Sequence, residues 1–254
     1  MGTLELLLDL HLRNDRQGPG CDEETRRAVE LARLDPALPI EAADLGCGTG
    51  ASALVLARAL NARVTALDAA EPFVARLRER AAGAGLADRI EARVGQMESP
   101  PFRERSLDLI WSEGAIYNMG FGAGLRAWRP FLRAGGVLAV SELSWTSAQR
   151  PPEVEAHWTR EYPGIRTVAE NLGTLEREGY HPLACFVLPE PCWEQNYYAP
   201  LRAGFAAFLD RHAGDPDAAA IVAAEQAEMT LRARHGAWYG YAFYIARRGA
   251  DSEG

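Results

Sequence analysis

Between residues 41 and 50 the chain reads Glu-Ala-Ala-Asp-Leu-Gly-Cys-Gly-Thr-Gly, placing the carboxylate of Asp44 two residues before the first of three alternating glycines. Glycines at Gly46, Gly48 and Gly50 admit positive φ and let a ligand approach the backbone closely. A helix starting directly after them would aim its free N–H groups at whatever lies above the loop. Eighteen residues beyond Gly50, Asp68 ends the next apolar run. In an open α/β sheet that puts a second carboxylate at the C-terminal edge, where it can accept hydrogen bonds from both hydroxyls of a ribose.

Those residues need strands below them and helices around them, and the hydrophobic rhythm supplies both. Short apolar runs at Ile40–Leu45, Val64–Leu67, Ile90–Val94, Leu107–Trp111 and Val137–Leu143 read as strands. Helical stretches near Ala51–Leu60, Pro72–Ala84 and Gly124–Leu132 alternate with them, the pattern of βαβ units and a mostly parallel sheet. Before this core, leucines at 4, 7, 8 and 12 predict an amphipathic helix, Gly18-Pro19-Gly20 a break, and residues 22–34 a second helix that Pro36 and Pro39 terminate. After it, residues 167–178 read as helix, 180–188 as strand and 238–247 as a closing strand, with Ala-rich helix between. The expected fold is α/β: a Rossmann-like, doubly wound, mostly parallel seven-stranded sheet with an antiparallel final strand and helical decorations at both ends. A single domain is expected over 1–254: a helical lid at 1–39, a core at 40–145, and helical insertions at 146–166 and 190–236.

Composition narrows the function. The 254 residues carry a formal charge of −8, which disfavours nucleic acid and anionic membrane as partners. Every basic residue is arginine, so Schiff-base, phosphate-loop and general-base lysines are excluded. Cys21, Cys47, Cys185 and Cys192 are scattered without a Cys-x-x-Cys pair, which argues against a zinc site or a disulfide framework. No apolar run approaches bilayer length and the first residues lack a basic leader, so a cytoplasmic location is expected.

Gly46-x-Gly48-x-x-Ala51 satisfies the dinucleotide fingerprint, which would make the chain an NAD-dependent oxidoreductase but leaves Asp44 and Gly50 unexplained. The whole segment instead resembles the acid-x-Gly-x-Gly-x-Gly signature of class I S-adenosylmethionine (SAM) methyltransferases. The resemblance continues through Leu107–Phe121, through Leu132–Glu142 with its Gly135-Gly136 turn, through the opening Arg16-Gln17-Gly18-Pro19-Gly20, and at Leu188–Trp193. These segments are similar to a bacterial subgroup of small-molecule, ubiquinone-type methyltransferases. The resemblance implies SAM as cofactor, with Asp44, Gly46 and Gly48 at its methionine end and Asp68 at its ribose. It also implies Gln96 and Met97 beside adenine, the Ser112 carbonyl at the amino group, and Gln17 and Gly18 closing over the cofactor. A non-catalytic SAM-binding module is the remaining alternative.

Methyl transfer by in-line displacement needs positioning and water exclusion, plus a base where the acceptor is a poor nucleophile at neutral pH. Glu113, directly after Ser112, is the first candidate for that base or for orienting the acceptor; Tyr117 is the second and Glu142 the third. The ordinary reading of Glu113 is a carboxylate tied to N–H groups of its own loop. His157, in the insertion after the fifth strand, is a weaker candidate, and Cys47 needs only its small size to explain it. Trp145, Trp158, Tyr162, Trp193, Tyr197, Tyr198, Phe205 and Phe208 concentrate in the insertions. Singly they read as a helical subcore; together they suggest a small-molecule acceptor that is apolar or aromatic, while Arg150, Arg160 and Arg166 leave room for an acceptor carboxylate. No metal is expected, and the chain is expected to be a monomer or homodimer.

Overall fold

A computed structural model describes residues 2–250. Strands β1 (Ile40–Leu45), β2 (Ala62–Asp68), β3 (Ile90–Val94), β4 (Leu107–Glu113) and β5 (Leu132–Trp145) pair in parallel in the order β3-β2-β1-β4-β5. Strand β8 (Tyr239–Arg248) pairs antiparallel with both β5 and β7 (Tyr180–Val187). The reversed final strand expected from sequence is therefore present. An eighth, two-residue strand, β6 (Arg166–Thr167), pairs beside the end of β5 and has no sequence signal of its own.

The central strands are apolar on both faces because helices cover both. Helices α2 (Asp22–Leu31), α3 (Ala51–Ala59) and α4 (Glu71–Gly83) bury Ala28, Leu54, Leu56 and Leu77 against Ala42, Val64 and Leu109. On the opposite face α5 (Phe121–Trp128) and α7 (Val168–Arg177) bury Leu125, Trp128 and Leu175 against Ile110, Leu138 and Val140. A third cluster joins α1 (Thr3–His11), α6 (Pro152–Glu161), α8 (Glu190–Trp193), α9 (Ala199–Arg211) and α10 (Pro216–His235) to Leu143, Trp145 and Tyr239 at one end of the sheet. This last cluster forms a cap over the carboxyl end of β5 and the amino end of β8.

Several boundaries differ from the periodicity. Helix α2 stops at Leu31, short of residue 34, because Arg33 takes φ +52°. Strand β5 begins at Leu132, five residues early; Gly135 at φ +76° and a register shift against β4 carry the Gly-Gly turn inside the strand. Helix α5 starts at Phe121 and gives way to a 3-10 turn at Arg129–Phe131. A π-helical segment at Glu194–Tyr198 links α8 to α9, where sequence suggested continuous helix.

Strand order reverses between β1 and β4: successive strands step outward from β1 through β2 to β3, then return to β4 and continue to β5 on the other side. Such a switch point opens a crevice at the carboxyl ends of the strands. The glycine loop, Asp68, Ser112 and Glu113 all stand at that edge.

Candidate functional site

The loop from Gly46 to Gly50 is held open by its own backbone. Gly46, Gly48 and Gly50 take φ +74°, +53° and +87°. A Cβ would come 2.3 Å from Ala115 Cβ at Gly46, 2.2 Å from Gln17 Oε1 at Gly48 and 2.0 Å from Leu77 Cδ1 at Gly50. Side chains are thus excluded twice, by conformation and by space. The amides of Gly46 and Cys47 both donate to the Leu67 carbonyl, pinning the bend against β2. Asp68 continues the same contact: its Oδ2 accepts from Gly48 N at 2.8 Å and its Oδ1 from Ala70 N at 2.9 Å. Burial raises the Asp68 pKa, against the pull of those amides.

Asp44 lies beneath the loop with no exposed surface. Its Oδ2 accepts from the Ser52 hydroxyl at 2.6 Å, while its Oδ1 is buried without a partner. Burial, then repulsion from Glu113 and Asp68, lifts its pKa to about 7. An orphaned buried carboxylate oxygen calls for a donor from outside the chain. Together with glycines that a Cβ would obstruct, it fits a ligand that brings a positively charged donor to this bend. Ser112, also fully buried, spends its hydroxyl on the Leu45 carbonyl at 2.8 Å and so ties β4 to β1 at the crevice.

An N-terminal strap crosses the loop. Gln17 Oε1 accepts from Thr49 N at 3.0 Å, and Gln17 Nε2 donates to the Asn14 carbonyl at 3.0 Å and to Thr49 Oγ1 at 3.1 Å. Arg80 Nη1 donates to the carbonyls of Asp15 and Thr49. Gln17 thus ties the strap to the glycine loop. Gly18 has nothing within 4 Å of an added Cβ, and its expected contact rests on no packing. Gly20 is the constrained glycine of the pair, its amide on the Cys192 carbonyl and its Cβ position 3.0 Å from Arg16 Nη1.

Glu113 departs from the expectation of a free base. Its Oε2 accepts from Arg16 Nη1 at 2.8 Å, and its Oε1 from the Thr25 hydroxyl at 2.7 Å and Trp111 Nε1 at 2.9 Å. Both oxygens are engaged by side chains from other elements, one of them a guanidinium, so this carboxylate is held as an anchor. The partners are distant side chains, and the alternative of N–H groups from its own loop is also replaced. Arg16 in turn bonds Asp22 at 3.0 Å and Thr25 at 3.2 Å, joining strap, α2 and β4 in one network. Sequence reasoning gave Arg16, Thr25 and Trp111 no individual role; the one available signal was a lone arginine beside the Gly-Pro-Gly break.

Past β3, Gln96 is exposed, while the Met97 methyl sits 2.8 Å from where a Gly46 Cβ would be. The Met97 carbonyl accepts from Trp128 Nε1 at 2.8 Å, which fixes this turn beside the loop.

On the other side of the crevice Tyr117, on a 3-10 turn at Ile116–Asn118, is 40% exposed and meets the Tyr162 ring edge-on at 5.9 Å. Glu142 lies one residue past the last β4–β5 pair, Glu113 with Ser141. It is 1% exposed, both its carboxylate oxygens lack hydrogen-bond partners, and burial raises its pKa to about 8 against the pull of the Tyr162 hydroxyl and the Leu143 amide. Tyr162 as a polar neighbour of Glu142 had no local signal.

Most of the aromatic residues singled out from sequence pack on one another. Trp145, Trp158, Trp193, Tyr197, Tyr198, Phe205 and Phe208 are buried in the cap cluster. Arg150 pairs with Glu155 and lies over the Trp145 ring, and Arg160 pairs with Glu161. His157 stands edge-on to Trp158 at 4.9 Å. Burial raises the Cys47 pKa far above that of a reactive thiol. Among the described residues no group of three His, Cys, Asp or Glu side chains is placed to hold a metal ion, and no helix is long and apolar enough to cross a membrane.

Comparison with known proteins fits this geometry. A family model described as a methyltransferase domain matches residues 42–136, from β1 to the start of β5. The chain is 28% identical over 152 residues to a 27-O-demethylrifamycin SV methyltransferase of Amycolatopsis mediterranei, covering 58% of this chain and 55% of that one. It is 32% identical over 135 residues to a malonyl-[acyl-carrier protein] O-methyltransferase of Dechloromonas aromatica, covering 51% and 48%. The matches thus span about half the length of these curated relatives. Among solved structures, a SAM-dependent methyltransferase from Geobacter sulfurreducens in complex with S-adenosyl-L-homocysteine superposes with a TM-score of 0.81 at 20% identity, over 95% of this chain and 97% of that one.

Proposed function

Since the chain carries a class I SAM-dependent methyltransferase domain, we propose that it methylates a small molecule, and that the acceptor is apolar or aromatic. The observation that carries the cofactor half is the unpartnered Oδ1 of Asp44 beneath three positive-φ glycines. SAM supplies an electrophilic methyl on a positively charged sulfur, together with an α-amino group and a ribose. Asp44, Gly46 and Gly48 would hold the methionine end, with the Ser112 carbonyl as a further acceptor. Asp68 would take the ribose hydroxyls, its aspartate already oriented by Gly48 N and Ala70 N. Gln96 and Met97 would flank the adenine, and Gln17 and Gly18 would shut the strap over the cofactor and keep water out. Support for an apolar or aromatic acceptor comes from Tyr117 and Tyr162, the rings that stand beside the crevice while the cap aromatics fill their own interior.

Isothermal titration with SAM and S-adenosylhomocysteine tests the reading. Both are expected to bind, and Asp68→Ala to weaken binding by roughly tenfold or more, the scale of a lost charged hydrogen bond. Absence of binding by wild-type protein at roughly 100 μM ligand defeats the proposal.

A further inference from the structure

Glu142 is buried, titratable and unused by the packing around it. Neither oxygen makes a hydrogen bond of good geometry, the Tyr162 hydroxyl and the Leu143 amide acting on it only weakly, although a buried carboxyl without such bonds is costly and uncommon. The groups facing it come from every neighbouring element, and they are phenols. Tyr162 follows α6, Tyr117 lies on the turn after β4, and Tyr241 and Tyr244 stand on β8. The Tyr241 hydroxyl sits 3.9 Å from where a Gly114 Cβ would be, so this cluster adjoins the end of β4. Further out, Arg166 acts on Tyr162 and Glu228 acts on Tyr117 and Tyr241. The Tyr244 hydroxyl is already spent on Ser144 and Asn171. No cation neutralises Glu142 directly.

Resting on the methyltransferase reading, we infer that Glu142, flanked by Tyr117 and Tyr162 where β5 outruns β4, receives the acceptor's proton, and that the acceptor presents a hydroxyl group. The chemistry of the site selects among acceptor classes. A hydroxyl brings the donor that the orphaned oxygens lack, and it is a poor nucleophile at neutral pH until its proton is taken. An alkylamine would arrive as a cation and lock into an ion pair with its lone pair still protonated. The ionised Glu142 that the transfer requires would repel a carboxylate, and a hydrocarbon would leave both oxygens unsatisfied. In the transfer, the hydroxyl oxygen gains its bond to the methyl carbon as the carbon–sulfur bond breaks with its electron pair passing to sulfur. The hydroxyl proton moves to a Glu142 oxygen and from there to solvent. A carboxyl with a pKa of about 8 holds such a proton more firmly than an exposed one, which suits it to the task.

The test separates this inference from the reading beneath it. S-adenosylhomocysteine is first titrated into wild-type and Glu142→Met protein. Equal affinities are expected, and no binding to either removes the methyltransferase reading itself. The loaded proteins are then titrated with phenol, aniline, benzoate and toluene at pH 6 and pH 9. Phenol is expected to bind the wild type at pH 9 about tenfold more tightly than toluene. That advantage should shrink at pH 6, where the carboxyl is protonated, and vanish in Glu142→Met. In parallel, the infrared band of a protonated carboxyl should be present at pH 6, lost by pH 9 and missing from the variant. Should Glu142→Met not fold, Glu142→Gln serves, with the loss of pH dependence as its readout. The inference about Glu142 is overturned if aniline or benzoate outbinds phenol, if phenol keeps its advantage in the variant, or if none of the four binds at roughly 10 mM. Each of those results leaves cofactor binding standing.

Discussion

Arg16 and Glu113 are 97 residues apart in sequence and 2.8 Å apart in space, and both are nearly closed to solvent. A buried ion pair of this kind costs desolvation when it forms, so its presence is weak evidence of net stability; removing one partner, however, strands the other charge. Arg16→Met is therefore expected to destabilise the protein by about 3 kcal/mol in urea unfolding. Glu113→Gln, which keeps two of three hydrogen bonds, should cost less, and the double variant less than the sum of the two. Additive losses would mean the pair is not coupled and Glu113 is free for other work. The same residue shows where sequence reading stops. That Asp44, Gly46, Gly48 and Asp68 come together is legible because loop and carboxylates lie within 25 positions along one βαβ unit. The engagement of Glu113 is not legible, because its cation Arg16 lies 97 residues away and no local pattern announces a long-range partner.

At the scale of elements, the glycine loop joins two structures of different stiffness. Gly50 faces Leu77, a fully buried side chain of α4, and Gly48 faces the amide end of Gln17 on the strap. A methyl at Gly50 must displace packed core from a left-handed backbone, whereas a methyl at Gly48 need only push aside a flexible tip. Gly50→Ala is expected to cost about 3 kcal/mol by thermal unfolding, and Gly48→Ala about 1 kcal/mol. The second should instead show in trypsin digestion, with faster cleavage after Arg13 and Arg16 once Gln17 is dislodged. Equal stability losses, or unchanged cleavage, would mean the strap is not held through Gln17. Strand cores, helix α3 and the presence of a closing strand followed from hydrophobic period, whereas the reversed direction of that strand is not a property that period carries. The early start of β5 and the turn ahead of α5 did not, since the first involves Gly135 and a register shift against β4 and the second Gly120 at φ +80°; the π-helical link has no signal in the sequence.

At the scale of the whole molecule, burial of acidic groups makes stability depend on pH in a definite direction. Asp44 and Glu228 are raised to about 7 and Glu142 to about 8, in each case chiefly by burial. A carboxyl whose folded pKa exceeds its unfolded value binds more protons in the native state across the interval between the two. Its contribution is fully present below the unfolded pKa near 4 and is lost as pH climbs to about 8, beyond which it changes no further. Half-buried pairs such as Asp9 with Arg211 and His212 run the other way, the carboxylate lowered, but they act only at more acid pH. Stability should therefore peak near pH 5 and fall toward pH 8.5, opposite to the usual rise from acid to neutral. Replacing Glu142 by Met removes one buried ionisation, so the variant should gain on the order of 3 kcal/mol over wild type at pH 9 and much less at pH 5. Urea midpoints of both proteins from pH 4.5 to 9.5 measure the difference. A variant that gains equally at every pH would show that Glu142 acts through packing alone, and one that loses at pH 9 would show that its carboxylate already has a partner in the folded chain.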